Sequence, residues 1–277
     1  MKLIADSGST KTDWALTAGQ GGGVMLLKTE GINPVHQSAE VIGGILRSLQ
    51  TVEPVEEVFF YGSGLRPELR EMMRQLLAER FPEAKDIVAE SDLLGAARAL
   101  CGHQEGIACI LGTGANSCLY DGHDIVQNTP ALGYILGDEG SGAFIGRNLL
   151  NAMYKGILPE ELRQVFETET GLTLADIIQK VYREPMPNRW LASLSPFIYR
   201  HIPQYPQLSQ MVVEIFQTFL QRNVKAYGRP DLKVSAVGSI AWYYQTELAH
   251  AASLEGMGLG GVTASPIDGL VAYHSAS

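Results

Sequence analysis

The pattern that most constrains the fold of this chain occurs twice. Residues 2–30 predict an apolar strand, a turn rich in Gly, Ser and Thr, an alternating strand, a glycine-rich turn and a third strand. Residues 106–126 repeat this order around a second glycine-containing turn, GTGANS. Two such hairpins, each at the start of one half of the chain, predict a structural duplication.

The remaining segments predict helices that pack on two sheets, and therefore a mixed α/β protein. Further strands, each followed by a turn, are expected within 56–64, 86–92 and 232–241. Helices are expected over 35–49, 67–81, 93–100, 160–168, 174–182, 189–201 and 208–227, after the last strand, and in the tail 265–274. The two domains are predicted to be 1–105 and 106–265, with a C-terminal helix at about 266–277 that packs back on the first.

Length, charge and cysteine content exclude several classes of protein. A length of 277 residues favours two domains. The formal net charge of −9 repels polyanions, which excludes nucleic acid and anionic membranes as partners on charge. Because no apolar run approaches the ~18 residues of a membrane span and no signal peptide opens the chain, we expect a cytoplasmic protein. Cys101, Cys109 and Cys118 lack metal-site spacing and are expected to be buried, reduced thiols.

The first turn, DSGSTKT, is not a Walker A loop, because Lys11 follows Thr10 rather than glycine and a strand comes next. One interpretation is an ordinary hairpin turn. The other is an anion site, in which backbone N–H groups, hydroxyls such as that of Ser9, and Lys11 contact phosphate oxygens while Asp6 holds Mg²⁺ through water. Recurrence of the turn as GTGANS, which contains Asn116, and further loops at GDEGS and VGSIA favour the anion site, because glycine lets backbone approach a ligand closely.

A specific resemblance emerges when the motifs are taken in order. They are DSGSTKTDW, GINPVH, YGSGL, ESDLLGAARAL, ILGTGANS, GYILGDEGSGAFIG, VGSIA and SPIDGLVAYH. In this order, over nearly the whole chain, they resemble the N-acetylglucosamine kinase and BadF/BadG/BcrA/BcrD-type ATPase family. The resemblance implies an α/β fold of two RNase H-like, actin-like ATPase domains with a nucleotide cleft between them, which binds ATP, Mg²⁺ and a sugar.

The resemblance also implies roles for individual residues. Asp92 is the expected base for the sugar hydroxyl, and Asn33, Ser63, Gly114 and Asp138 are expected sugar contacts. Thr10 and Thr113 are expected at the phosphates, and Gly238 and Ser239 at the nucleoside. The loop residues Ser9, Lys11 and Asn116 join the nucleotide-binding set, and Asp6 is the expected metal ligand.

Three acidic residues near these motifs have alternative interpretations. Asp92 could cap the helix 93–100, but Ser91 could cap it instead and release Asp92 for the sugar. Glu139 is expected to favour the positive N-terminus of the helix that follows it. Asp13 is expected to be solvated or part of a turn.

These expectations together predict MgATP-dependent phosphorylation of an amino sugar hydroxyl, with N-acetylglucosamine or glucosamine as the substrate. An alternative is an ATPase that couples hydrolysis to a partner protein, although the cysteines do not match the cluster-binding arrangement of that branch. A catalytically silent sugar sensor is the other alternative. The sequence leaves a monomer and a homodimer open.

Overall fold

The computed structural model describes residues 1–8, 10–18, 23–51 and 54–275, which form two compact units. The first comprises Met1–Glu105, Tyr120–Ile125 and Ser265–Ser277, and the second comprises Gly106–Leu119 and Val126–Ala264. The elements of the first unit up to residue 105 are β1 (Lys2–Ser7), β2 (Lys11–Thr17), β3 (Val24–Glu30), α1 (Ala39–Ser48), β4 (Glu57–Gly62), α2 (Pro67–Arg80), β5 (Asp86–Ser91) and α3 (Asp92–Cys101).

The remaining elements form the second sheet, its helices and the C-terminal helix. The strands are β6 (Gly106–Leu111), β7 (Ala115–Tyr120), β8 (Ile125–Thr129), β9 (Val234–Val237) and β10 (Leu259–Thr263). The helices are α4 (Gly133–Leu136), α5 (Gly142–Tyr154), α6 (Glu160–Thr170), α7 (Leu174–Tyr182), α8 (Pro187–Ala192), α9 (Ser195–His201), α10 (Pro206–Phe219), α11 (Ser239–Tyr243), α12 (Gln245–Leu254) and α13 (Ile267–Ser275).

The two sheets have the same strand order, as the predicted duplication requires. The first sheet is ordered β3-β2-β1-β4-β5, and the second, written from its other edge, is β8-β7-β6-β9-β10. In the first, β1 pairs antiparallel with β2 but parallel with β4, and β4 pairs parallel with β5. In the second, β9 pairs parallel with both β6 and β10. The carboxyl ends of three neighbouring strands therefore meet at one edge of the first sheet.

Both faces of the first sheet are covered, because its strands send apolar side chains alternately to each face. Leu3, Ala5 and Phe60 pack with residues of α1 and α2. On the other face, Ile4 packs with α13, which starts after Pro266. A Cβ on Gly269 would collide with the carbonyl oxygen of Ala99, so glycine permits the close approach of α13 to α3.

Some predicted helices have different limits in the structure. The first begins at Ala39 rather than at residue 35, because Asn33 forms a turn and Ser38 supplies the N-cap. The helix expected over 189–201 is two helices, since Pro196 has no N–H group to continue the first one. Strand β10 was not predicted, because its glycine-rich sequence carries little strand signal.

The environment of two of the three cysteines agrees with the expectation from the sequence. Cys109 and Cys118 are buried as expected, and Cys101 is half-buried. Across the part of the chain that the structure describes, no helix is long and apolar enough to cross a membrane.

A buried histidine fastens the C-terminal helix to the sheet. Tyr61 accepts a hydrogen bond from Arg98 (Nη1 to oxygen, 2.8 Å), and its hydroxyl oxygen is hydrogen-bonded to Nε2 of His274 at 2.9 Å. The His274 ring also stacks on Phe59 with the ring centres 3.8 Å apart. Burial, followed by the charges of Arg98, Lys2 and His103, lowers the pKa of His274 to about 3.

We expect His274 to make the protein acid-sensitive. Below the ordinary histidine pKa of about 6.5 the unfolded chain takes up a proton that the folded chain refuses, so the free energy of unfolding falls as the pH falls. The slope that His274 adds approaches about 1.4 kcal/mol per pH unit near pH 5. Denaturant unfolding between pH 5 and 7 should give a shallower pH dependence for His274→Gln, and equal slopes for the two proteins would contradict this assignment.

Candidate active site

The candidate site of the first unit lies where β1, β4 and β5 end. The register places Ser7 beside Gly62, and Gly62 beside Ser91. Ser63 and Asp92 are the next residues of their segments, so they leave the sheet at the same edge. Such carboxyl edges are the usual ligand position of open α/β sheets.

Ser91, not Asp92, caps helix α3. The Ser91 hydroxyl oxygen accepts a hydrogen bond from the Leu94 N–H at 3.3 Å, and Asp92 is the first helical residue. Of the two interpretations of Asp92, the geometry therefore supports the one in which it is not the cap. Its carboxylate instead accepts hydrogen bonds from the Ser63 hydroxyl and the N–H of Leu93.

The Asp92 carboxyl is electrostatically perturbed. Burial raises its pKa above the ordinary aspartate value, and hydrogen bonds from Leu93, Ser63 and its own N–H offset part of that rise. Asp6 is close enough to be affected: burial first, then the charges of Asp92 and Asp13, raise the pKa of Asp6 to about 7, while Lys11 acts in the opposite direction. The strand ends thus bring carboxyl groups together in a poorly hydrated place, which favours their neutral forms.

Asp13 lies beside the candidate site, where the sequence interpretation did not place it. It was expected to be solvated or in a turn, but it lies on β2, 9% exposed, directly opposite Asp6 in the hairpin. Lys11 donates to it at 2.6 Å, and Nζ of Lys28 lies 3.8 Å from its other oxygen. The expectation failed because it considered the sequence around Asp13 and not the cross-strand register.

The loop that carries Asn33 is fixed to the first hairpin. The Ser7 hydroxyl bonds to both the N–H and the carbonyl of Ile32, each at 3.0 Å, and lies 2.7 Å from the Thr12 hydroxyl. Asn33 is buried, and a Cβ on Gly64 would collide with its side-chain oxygen. Gly64 has φ +73°, a conformation that favours glycine. This arrangement brings Asn33 beside the turn that contains Ser63.

The remaining residues predicted in the first phosphate turn do not gather at the strand ends as closely as Asp6, Ser63 and Asp92 do. Thr10 is exposed, and its carbonyl accepts a hydrogen bond from Gly31 at 3.1 Å. Lys11 is 60% exposed and engaged with Asp13. Ser9 lies outside the described residues.

The strand ends fit a magnesium ion. Asp6 is half-buried, and burial and the charges of Asp92 and Asp13 raise its pKa to about 7, so a cation bound beside it would favour its ionised form. Within residues 1–8, 10–18, 23–51 and 54–275, no group of three or more His, Cys, Asp or Glu side chains could hold a metal ion. Mg²⁺ commonly binds one or two carboxylates and completes its coordination with water and substrate phosphates, so this carboxylate set suits it.

In the second unit, the turn GTGANS meets the loop GDEGS. The carboxylate of Asp138 accepts a hydrogen bond from the Ala115 N–H, and a Cβ on Gly114 would lie 3.2 Å from its Oδ2. Burial, then the charge of Glu139, raises the pKa of Asp138 to about 6, against the hydrogen bond from Ala115. Two of the residues predicted as sugar contacts, Gly114 and Asp138, are therefore neighbours.

The other residues predicted at the nucleotide surround the same turn. Thr113 is exposed, and its carbonyl accepts a hydrogen bond from the start of α5 at 3.3 Å. A Cβ on Gly238, which has φ +121°, would collide with the carbonyl of Leu111, so Gly238 lies against the base of this turn. Ser239 is exposed at the first position of α11, whereas the Asn116 side-chain oxygen accepts hydrogen bonds from its own segment and from Asn128.

Comparison with solved structures adds independent evidence. No family model and no curated protein matches the sequence. One similar crystal structure is that of a Porphyromonas gingivalis protein provisionally named an N-acetylglucosamine kinase. The two sequences are 47% identical, the match covers 100% of this chain and 99% of that chain, and the TM-score is 0.95. The chain belongs to the N-acetylglucosamine kinase family. This confirms the class expected from the motifs, a sugar kinase with the α/β fold of the actin-like ATPases.

More distant structures share the fold alone. A second protein provisionally named an N-acetylglucosamine kinase, from Chromobacterium violaceum, is 17% identical with a TM-score of 0.71 and covers 98% of each chain. A ROK-family glucokinase from Streptomyces griseus, in complex with glucose and AMPPNP, is 12% identical with a TM-score of 0.60 and covers 100% of this chain and 98% of that chain.

We expect removal of the Ser63 hydroxyl to raise the pKa of Asp92 further, because that hydroxyl donates to the ionised carboxylate. The measurement is an NMR pH titration of ¹³C-labelled aspartate carboxyls in the protein and in Ser63→Ala. Ser38→Ala, which removes the capping hydroxyl of α1 in the same unit, is the control and should leave the Asp92 pKa unchanged. An Asp92 pKa at the ordinary aspartate value would refute the hydrogen bond from Ser63 to Asp92. So would the same Asp92 pKa in the unsubstituted protein and in Ser63→Ala.

Proposed function

We propose that this protein transfers the terminal phosphoryl group of MgATP to a hydroxyl of an amino sugar, N-acetylglucosamine or glucosamine. The observation that carries the proposal is Asp92, an aspartate at a strand end that is released from capping by Ser91 and perturbed by burial. Family membership and a relative provisionally named for N-acetylglucosamine support the choice of substrate.

In this proposal Asp92 is the general base. Phosphoryl transfer passes through a loose transition state, so the protein contributes mainly positioning and charge stabilisation. The Asp92 carboxylate accepts the proton of the sugar hydroxyl as that oxygen bonds to the terminal phosphorus of ATP. The bond from this phosphorus to the bridging oxygen breaks, and ADP leaves. Ser63 holds the Asp92 carboxylate in place. Burial raises the pKa of Asp92 toward the working pH, which makes it a better base than an exposed aspartate.

The other residues of the first unit hold the substrates. Asn33 and Ser63 contact the sugar, and Thr10, Lys11 and Ser9 bind the phosphates. Asp6 holds Mg²⁺, with Asp13 opposite it. When bound, Mg²⁺ neutralises charge on the phosphate oxygens.

The second unit supplies the rest of the binding residues. Gly114 and Asp138 contact the sugar, and their closeness supports a common role. Thr113 and Asn116 bind the phosphates, and Gly238 and Ser239 bind the nucleoside. In this account the two units act as the two domains of the kinase.

We expect Asp92→Asn to lower kcat by roughly 10²–10⁴-fold, the usual effect of removing a general base. The sugar KM should change by only a few-fold, because asparagine keeps the shape and one acceptor oxygen. The measurement is steady-state ADP release with saturating sugar, accompanied by thermal unfolding to show that the variant is folded.

Asp86→Asn is the matched control, because Asp86 is exposed at the opposite end of β5. It should retain the kcat of the unsubstituted protein. A near-normal kcat for Asp92→Asn, or an equal loss of kcat in Asp86→Asn, would contradict the assignment of Asp92 as the base.

A further inference from the structure

Helix α10 ends in an unusual wide turn. Leu220–Val224 are π-helical, with the Lys225 N–H bonded to the carbonyl of Leu220, and a short 3₁₀ turn comes next. A π turn inserts one residue into a helix and rotates the residues after it by about 100°. Such turns are kept mostly where they place particular side chains.

This turn delivers two side chains to Glu139. Arg222 donates to Oε1 of Glu139 at 2.9 Å, and Nδ2 of Asn223 lies 3.4 Å from Oε2. The Glu139 side chain is only 10% exposed, whereas that of Arg222 is 66% exposed. The sequence interpretation gave Glu139 a general role at the N-terminus of α5, but the structure gives its carboxylate specific partners.

The π turn is itself anchored to the sheet. The Asn223 carbonyl accepts a hydrogen bond from the Thr129 hydroxyl at 2.8 Å, and Nδ2 of Asn223 also donates to the Phe219 carbonyl at 3.2 Å. Tyr227 adds a 2.7 Å contact between its hydroxyl and that of Ser117. Asn223 is buried, so its amide, which faces Glu139, is held in a fixed place.

Glu139 is ionised in this setting. Burial would raise the pKa of Glu139, but hydrogen bonds from its own N–H, Arg222 and Asn223 outweigh burial and lower it. A buried carboxylate that loses such partners leaves an uncompensated charge, which is strongly unfavourable. The backbone at residue 139 is therefore tied firmly to the π turn.

The residue before it, Asp138, is conformationally strained. Its φ is +52°, a left-handed conformation that is unfavourable for a non-glycine residue. Two backbone hydrogen bonds help to hold it: its N–H donates to Ala131 at 3.1 Å, and its carbonyl accepts from Ser141 at 3.0 Å. Such strain persists only where the surroundings fix the backbone, and Glu139 is the adjacent fixed point.

We infer that Glu139, held by Arg222 and Asn223, is a positioning residue that keeps Asp138 in the conformation in which its carboxylate lies against Gly114 and Ala115. The inference rests on the proposed function, in which Asp138 contacts the sugar. By this inference the π turn after α10 supports the sugar site through Glu139 and Asp138, although none of the turn's own side chains is assigned as a sugar contact.

The test is a double-mutant cycle between Glu139→Gln and Asp138→Asn, read as sugar KM, ATP KM and kcat. Glu139→Gln should raise the sugar KM by roughly 10- to 150-fold, the range that corresponds to one lost charged hydrogen bond. The ATP KM should not change, whereas a general loss of structure would change the ATP KM as well. In the Asp138→Asn background the same substitution should have no further effect on the sugar KM.

Two further variants keep the test decisive. Arg222→Gln removes only the exposed partner and should raise the sugar KM in the same direction by a smaller factor, even where Glu139→Gln folds poorly. Glu167→Gln is the matched control, because Glu167 accepts a hydrogen bond from Arg163 at 2.9 Å on the surface of α6. It should leave the sugar KM unchanged.

The outcomes separate the inference from the proposed function. If Asp138→Asn raises the sugar KM while Glu139→Gln and Arg222→Gln do not, the positioning role is wrong and the sugar contact stands. Equal effects of Glu139→Gln with and without Asp138→Asn also overturn it, because Glu139 would then not act through Asp138. If Asp138→Asn itself leaves the sugar KM unchanged, the assignment of Asp138 in the proposed function fails.

Discussion

The parallel pairing of β4 with both β1 and β5 is the constraint on which the candidate site depends. It brings three strand ends to one edge, and each end contributes a chemically active group: Asp6, Ser63 and Asp92. The Ser91 cap completes the arrangement, because it satisfies the first turn of α3 without using the Asp92 carboxylate. Desolvation then raises the pKa of both Asp6 and Asp92. A change in strand register of one residue would turn these side chains to the opposite face.

The second unit has the same sheet order but carries different side chains at its strand ends and loops. Its first turn and the loop that enters α5 are joined by backbone hydrogen bonds, from Gly142 to the Gly112 carbonyl at 2.8 Å and from Ala143 to the Thr113 carbonyl at 3.3 Å. Glycine is also required at Gly238, where the end of β9 approaches the Leu111 carbonyl at the base of this turn. The duplicated sheet thus provides a rigid support, and the chemistry of each copy depends on the side chains that its loops carry.

Much of this organisation was predictable from the sequence, because hairpins and amphipathic helices leave strong periodic signals. The competition between Ser91 and Asp92 for the helix cap was also visible, since adjacent capping residues are a local feature. Asp13 was misjudged because its burial depends on cross-strand register. The partners of Glu139 could not be predicted, because they lie on a π turn more than 80 residues away whose geometry is set by tertiary contacts.

Sugar-dependent ADP release tests the central claim most directly. The protein would be incubated with MgATP alone and with N-acetylglucosamine, glucosamine or glucose, and the phosphorylated product identified by mass spectrometry. The account predicts little ADP release without sugar and the highest kcat/KM with one of the two amino sugars. Equal ADP release with and without every sugar would contradict it in favour of an ATPase, and tight sugar binding without turnover would contradict it in favour of a sensor.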